Sequence, residues 1–237
     1  MQKQKRKGYF RFLKRLMRLK YKQPKFIYLG EPVKDGAIIL SNHEGTDAPM
    51  ALEIYHPEAM RMWGAVEMNS GLKNMYKYQS RVYYHEKKHW NLHLARLFCL
   101  IASPLTHLFY KGFDLISIHK GSKLLTTIRE SVTAIEQGYN VVIFPEDSTE
   151  GYLEELKGFH GGFTLLLRAC EKKEINVPVY VAYYRKSDNT YIFSEPIYYN
   201  DLKAQNLSKE QMSQLLCERC NALRLVTEND SNNKTSN

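Results

Sequence analysis

A histidine and two carboxylates follow apolar runs of this sequence in positions that suit proton transfer. His43 comes after the run 37–40, and Asp47 follows it with three residues between them. Glu146 follows a second run, 140–144, after one proline. A carboxylate that holds an imidazole in one tautomer leaves the other ring nitrogen free to act as a general base. The alternative is that His43 is an ordinary loop residue and Asp47 a charge at a helix start.

Periodicity predicts the elements that position these residues. Apolar runs bounded by turn residues predict strands at 26–29, 37–40, 61–66, 115–118, 140–144, 177–184 and 191–193. Helical spacing predicts helices at 8–22, 47–55, 91–110, 122–137, 162–172 and 208–226. Segment 67–90 has poor periodicity and receives no assignment. Pro49 suits the first turn of the helix after His43, with Thr46 as its N-cap.

The order of these elements predicts an α/β fold with a mixed, largely parallel sheet flanked by helices. Strand 115–118, helix 122–137 and strand 140–144 form a βαβ unit, so we expect the two strands to pair in parallel. Catalytic groups in such folds lie beyond the carboxyl ends of the strands, which is where the sequence places Glu146.

The positive charge of the chain is concentrated at its start. Of 34 Lys and Arg residues, eleven lie in residues 1–25, which contain no Asp or Glu. The rest of the chain has 23 Lys and Arg and 25 Asp and Glu residues, so its net charge is close to zero. Residues 8–22 form a basic amphipathic helix, a pattern typical of helices on anionic membrane surfaces. Packing on the domain and binding to nucleic acid are the alternatives. Because the body is nearly neutral, nucleic acid is the weakest of these, and we predict no nucleic-acid partner.

We therefore divide the chain into a membrane-associating arm (1–25), one domain (26–227) and a polar, flexible tail (228–237). The predicted location is the cytoplasmic face of a membrane, as a peripheral protein. Helix 91–110 contains Arg96 and Pro104, which argue against a spanning segment. Core packing is the expectation for this helix, and an interfacial position is the alternative.

Cysteine and histidine spacing predicts no metal site. The four cysteines are too few and too scattered for a disulfide scaffold, which favours a reducing compartment. Cys217 and Cys220 share a helix face but lack a second pair of zinc ligands at suitable spacing. His85, His89 and His93 repeat every four residues, and we interpret them as a solvated or packed ladder.

Four short motifs occur in order between residues 36 and 184. They are Asn42-His43…Asp47, Gly112 to Lys120, Val142-Ile-Phe-Pro-Glu146 and Val177-Pro-Val-Tyr-Val181, with a further segment at Leu156–Gly162 before the last. Together they resemble the glycerolipid acyltransferases, the family that includes the lysophosphatidic acid acyltransferases. The resemblance implies a glycerol-3-phosphate acyltransferase-like fold.

The resemblance also implies an O-acyltransferase of phospholipid biosynthesis. Its donor is acyl-CoA or acyl-carrier protein, its acceptor the hydroxyl of a lysophospholipid, a related glycerolipid or a polyol, and no other cofactor is implied. His43 is then the general base and Asp47 the residue that orients it and stabilises the imidazolium. The substrate-binding residues that the resemblance implies are Glu146, Phe144, Pro145, Ser148, His119, Lys120 and Lys157.

The chain departs from the family pattern at three points. The family has four residues between His and Asp where this chain has three. It has an arginine after the Phe-Pro-Glu core where this chain reads Asp147-Ser148-Thr149, and one in the second motif where this chain has His119 or Lys120. Arginine binds phosphate bidentately, so its loss leaves open whether the acceptor carries a phosphate. A catalytically silent lipid-binding or membrane-docking module of the same fold is the alternative.

Overall fold

A computed structural model describes residues 6–119, 121–147 and 151–227, except the side chain of Lys87. Its strands are β1 (Lys25–Tyr28), β2 (Ile38–Ser41), β3 (Met60–Ala65), β4 (Ile116–Ile118), β5 (Asn140–Ile143), β6 (Pro178–Arg185), β7 (Thr190–Phe193) and β8 (Ile197–Tyr198). Its α-helices are α1 (Gly8–Met17), α2 (Asp47–Tyr55), α3 (Val66–Asn69), α4 (Leu72–Lys77), α5 (Leu92–Phe113), α6 (Leu124–Glu136), α7 (Phe163–Glu171), α8 (Tyr199–Ala204) and α9 (Lys209–Leu223). A π-helix, Tyr78–Lys87, continues α4, and a 3-10 turn, Gly121–Lys123, leads into α6.

The strands form one mixed sheet in the order β1-β7-β6-β2-β5-β3-β4, with β8 paired to β6. The strands from β6 to β4 in this order all run in parallel. Strand β7 is antiparallel to β6 and parallel to β1, and β8 is antiparallel to β6. The predicted class, a largely parallel α/β sheet flanked by helices, is confirmed.

Alternating side chains of the central strands divide the core into two layers. On β2, Ile38 and Leu40 pack with residues of α6, α7 and α9, whereas Ile39 packs with α2 on the opposite face. On β6, Val179 and Tyr180 divide in the same way. Side chains that point alternately to the two faces produce this pattern, and both faces are covered because a parallel sheet has to bury them.

The predicted direct pairing of the βαβ strands is wrong. Strands β4 and β5 are parallel, as the βαβ unit requires, but β3 lies between them. The crossover helix α6 therefore spans two strand positions. The sequence analysis also missed β8 and α8, and the unassigned segment 67–90 contains α3, α4 and the π-helix.

Helix α1 packs on the domain through one buried ring and two ion pairs. Phe10 is 0% exposed and contacts Phe109 and Phe113, with ring centroids 5.4 and 6.3 Å away. The buried carboxylate of Glu53 in α2 receives Arg6 at 2.7 Å and the Lys14 ammonium at 3.2 Å. A buried carboxylate requires such cationic partners because burial in isolation would be costly.

Helix α5 exposes most of its apolar side chains instead of packing in the core, so that expectation is wrong. It runs through Pro104 from Leu92 to Phe113. Its underside is buried at Ala95, Cys99 and Ser103. By length and composition it is the one helix of the described residues that is long and apolar enough to cross a membrane, a test that core helices of soluble proteins also pass.

Candidate functional site

Three neighbouring parallel strands end at the same edge of the sheet and bring the candidate residues together. Strand β2 lies between β6 and β5, so the residues after their carboxyl ends meet there. His43 follows β2, Glu146 follows β5 and Lys186 follows β6. The first two were expected at this edge from the sequence.

The backbone before His43 is fixed by buried polar contacts. The Asn42 side chain accepts a hydrogen bond from the Tyr184 N–H at 2.7 Å and donates one to the Tyr184 carbonyl at 3.0 Å. The Ser41 hydroxyl lies 2.7 Å from the hydroxyl of Tyr191. Both Asn42 and Ser41 are buried, so these bonds are shielded from water, and they tie the end of β2 to β6 and β7.

The His43 ring contacts two aromatic rings in a largely buried position. Its centroid lies 4.8 Å from that of Phe144, edge on, and 5.4 Å from that of Tyr152, nearly parallel. Burial lowers the pKa of His43 below its ordinary value, and backbone groups of Gly45 and of His43 itself partly offset this effect. The imidazole is therefore neutral at pH 7, the protonation state that a general base requires.

The Glu146 side chain binds the backbone of His43. Its Oε2 accepts a hydrogen bond of 2.7 Å from the His43 backbone N–H. Burial raises the pKa of Glu146, the His43 N–H lowers it, and the nearby charge of Glu44 raises it. The carboxylate therefore holds the His43 backbone.

The segment after Glu146 is held by the predicted segment Leu156–Gly162. Glu146 forms an antiparallel bridge with Phe159, and the Asp147 N–H donates to the Gly158 carbonyl at 3.1 Å. Helix α9 fixes this segment, because Asn221 bonds both the N–H and the carbonyl of Leu156, at 2.8 and 2.9 Å. The loop beneath the site is thus bound to the C-terminal helix.

The predicted hydrogen bond between His43 and Asp47 is not formed. The Asp47 carboxylate pairs with the Lys186 ammonium at 3.0 Å, and Lys186 also lies 3.6 Å from Glu44. The Nδ1 atom of His43 is buried and makes no well-formed hydrogen bond within the described part of the chain. The carboxylate lies at the start of α2, as expected, but its partner is the residue that follows β6.

The short gap between His43 and Asp47 is closed by two residues with positive φ. Glu44 has φ 40° and Gly45 has φ 65°. Glycine adopts this region readily, whereas Glu44 has a side chain that disfavours it. Gly45 thus permits the tight turn that the missing residue imposes, and Glu44 is strained there.

The other predicted site residues lie apart from His43 or outside the described residues. His119 follows β4 at the same edge of the sheet, but two strands from Glu146, roughly 10 Å away. Lys157 is exposed on the loop that follows Tyr152. Pro145 is buried beside Glu146. Ser148 and Lys120 fall outside the described residues, as do the tail 228–237 and the first five residues of the arm.

Sequence analysis missed two residues of the site. Tyr152 covers the His43 ring, and burial raises its pKa, with the Glu146 charge adding to the rise. Lys186 could have been found, because it follows predicted strand 177–184 at the edge where Glu146 was expected; Tyr152 has no comparable signal.

No group of three or more histidine, cysteine, aspartate or glutamate side chains gathers as a set of metal ligands within residues 6–119, 121–147 and 151–227. The His85 ring instead contacts the Trp90 carbonyl at 2.8 Å. Cys217 and Cys220 are buried on α9. The candidate site itself consists of the His43 imidazole, the Glu146 carboxylate bonded to its backbone, and the pair of Asp47 and Lys186.

Comparisons of the sequence with family models and with curated proteins identify no family for this chain. The sequence matches no model of a protein family. It also matches no curated protein significantly.

Proposed function

We propose that this protein is an O-acyltransferase of the glycerolipid type, with a glycerol-3-phosphate acyltransferase-like fold. It transfers a fatty acyl group from acyl-CoA or acyl-carrier protein to a hydroxyl of a lysophospholipid or related acceptor, in phospholipid biosynthesis at the cytoplasmic face of a membrane. The observation that carries the proposal is the neutral, largely buried His43 at the carboxyl edge of β2, with Glu146 bonded to its backbone.

In the proposed reaction, the acceptor hydroxyl attacks the carbonyl carbon of the thioester. Its proton passes to His43 as the new C–O bond forms. The C–S bond then breaks, and the departing thiolate takes the proton from the imidazolium, so that an ester and a thiol result. The acceptor oxygen is itself the nucleophile, and the mechanism passes through no acyl-enzyme. Phe144 and Tyr152 keep water from the ring, which preserves its neutral form.

The pair of Asp47 and Lys186 makes the proposed mechanism depend on whether the acceptor carries a phosphate. Asp47 stabilises the imidazolium in the proposal, yet its carboxylate is paired with Lys186 in the structure. A phosphate-bearing headgroup would draw the exposed Lys186 ammonium to itself and release Asp47 for His43. Lys186 thus supplies a cation that the missing arginine would otherwise provide. His119, Lys120 and Lys157 stay candidate headgroup contacts.

The direct test is an assay with purified protein, acyl-CoA and a panel of lysolipids and polyols, with products identified by mass spectrometry. We expect an acylated product from the parent and a loss of at least a hundredfold in rate for His43→Ala, the usual scale of a lost general base. His93→Ala, an exposed histidine far along the chain, is the matched control and should retain the parent rate. Equal product formation by His43→Ala and the parent would refute the assignment.

A silent lipid-binding module of the same fold is the second candidate, and the Asp47–Lys186 pair favours it. In that case Asp47 has a structural partner and no imidazolium to stabilise. Parent and His43→Ala would then show the same negligible turnover with every donor and acceptor, while both bind lipid.

A further inference from the structure

Helix α5 presents a continuous apolar stripe to solvent. Leu94, Leu97, Phe98, Ile101, Leu105 and Leu108 are all exposed. With 3.6 residues per turn, they lie within about 100° of the helix circumference. Scattered exposed leucines need no explanation, but a stripe along a 22-residue helix does. The opposite side of α5 is buried against the domain.

Helix α1 contacts α5 at the C-terminal end of α5. Phe10 covers Gly112 of α5, so the two helices are in contact there. Beyond that contact, Phe12, Leu16 and Leu19 of the α1 segment are exposed. We name the exposed apolar residues of α5 and of the adjoining α1 segment together the apolar face.

The charged residues within the two helices of the apolar face are all positive. Neither α1 nor α5 contains an aspartate or a glutamate. Arg11 and Arg15 are exposed next to Phe12 and Leu16, and neither forms an ion pair with any residue that the structure describes. Lys14 and Arg6, in contrast, are taken up by Glu53. An apolar stripe edged by unpaired cations is complementary to a surface with anionic groups over a hydrocarbon layer.

We propose that the apolar face is a docking surface for an anionic phospholipid bilayer, with α5 lying in the plane of the membrane as the main inserting element. The proposal deepens the membrane part of the proposed function and rests on it for its biological role, but vesicle binding can be measured without turnover. A second copy of the chain is a poorer occupant, because two copies would place Arg11 and Arg15 against the same residues. A spanning position is a poorer fit, because Ser103 and Cys99 on the underside of α5 are covered by protein.

The docking surface reaches the rim of the candidate site. After α1, the Tyr21 hydroxyl lies 3.1 Å from Oγ1 of Thr46, the residue before Asp47. In the proposed docked state, Leu19 of the apolar face lies two residues before Tyr21, which brings the membrane close to the turn after His43 and to the start of α2. A lipid acceptor can then approach His43 from the bilayer edge.

The test is flotation of the purified full chain with vesicles of phosphatidylcholine, alone or mixed with phosphatidylglycerol. Ile101 is 74% exposed and Leu105 63%, so Ile101→Glu/Leu105→Glu should fold as the parent does, checked by circular dichroism. We expect a loss of vesicle affinity of more than tenfold, because two leucine-sized chains no longer enter hydrocarbon. The matched control is Leu125→Glu on α6, 61% exposed and outside the face, which should bind as the parent does.

Charge is tested separately with Arg11→Gln and Arg15→Gln. Each should weaken binding to the phosphatidylglycerol vesicles by about fivefold and leave binding to pure phosphatidylcholine unchanged. Parent-like binding by the Ile101→Glu/Leu105→Glu variant, or no vesicle binding by the parent, would overturn the proposal. Two other results would also overturn it. Self-association of the parent that this variant abolishes would identify a second copy of the chain as the occupant. Resistance of the membrane-bound parent to carbonate extraction would identify a spanning helix. An inactive protein that still floats would refute only the acyl transfer.

Discussion

Replacing Gly112 of α5 by alanine should lower the free energy of unfolding when Phe10 is present and raise it when Phe10 is replaced by alanine. A Cβ at Gly112 would lie 2.2, 2.5 and 2.8 Å from three carbons of the Phe10 side chain. Carbon atoms do not approach so closely, so the fully buried ring has to leave its site. Phe10 then loses its contacts with the aromatic rings of α5, and α1 loses the residue that packs it on the domain.

Two opposing effects determine how much Gly112→Ala changes the free energy of unfolding. Removing a buried phenylalanine from its site costs about 3–5 kcal/mol of the free energy of unfolding. Glycine to alanine within a helix contributes up to about 1 kcal/mol in the other direction. Gly112→Ala should therefore destabilise the parent by about 2 kcal/mol or more. In a Phe10→Ala background the clash is gone, and the same substitution should stabilise by up to about 1 kcal/mol.

Urea unfolding of the four proteins of this double-mutant cycle measures both effects. Trypsin cleavage at the basic residues of α1 provides an independent readout, because a detached helix is cut faster. We expect faster cleavage in Gly112→Ala than in the parent. Stabilisation of the parent by Gly112→Ala, or equal effects in both backgrounds, would refute the claim that Phe10 packs on Gly112.

Three further predictions concern buried charges and the site. Burial lowers the pKa of His56 from 6.5 to about 4, so between these pH values the unfolded chain binds a proton that the folded chain does not. The free energy of unfolding should therefore fall by about 3 kcal/mol as the pH drops from 6.5 to 4. Urea unfolding of His56→Gln at several pH values should lack this part of the pH dependence. Glu53→Gln leaves its two cations without a buried carboxylate and should cost about 3 kcal/mol, measured by the same method, whereas a cost below about 1 kcal/mol would show that the ion pairs do not hold α1. Lys186→Met should raise KM at least tenfold more for a phosphate-bearing acceptor than for a neutral polyol, and equal changes for both would exclude it as a headgroup contact.

The edge at which the candidate residues meet was predictable, because it depends on local patterns. Apolar runs followed by polar turns locate the ends of β2 and β5, and parallel strands present their carboxyl ends on one side. His43 and Glu146 therefore had to lie near one another if their strands were neighbours. The alternation of side chains along β2 likewise predicts which residues face the same layer of the core.

The tertiary structure alone decided the strand order and the partners of the site residues. Local sequence does not specify that β3 inserts between β4 and β5, because that order follows from packing across the whole sheet. The same holds for Asn42, whose partner Tyr184 is 142 residues away. It also holds for Asp47, which pairs with Lys186 just after β6 instead of with His43. Helix α5 was expected in the core because its composition is apolar, and composition states how apolar a helix is but not which surface covers it. Only the packed neighbours of a side chain determine whether it meets protein or solvent.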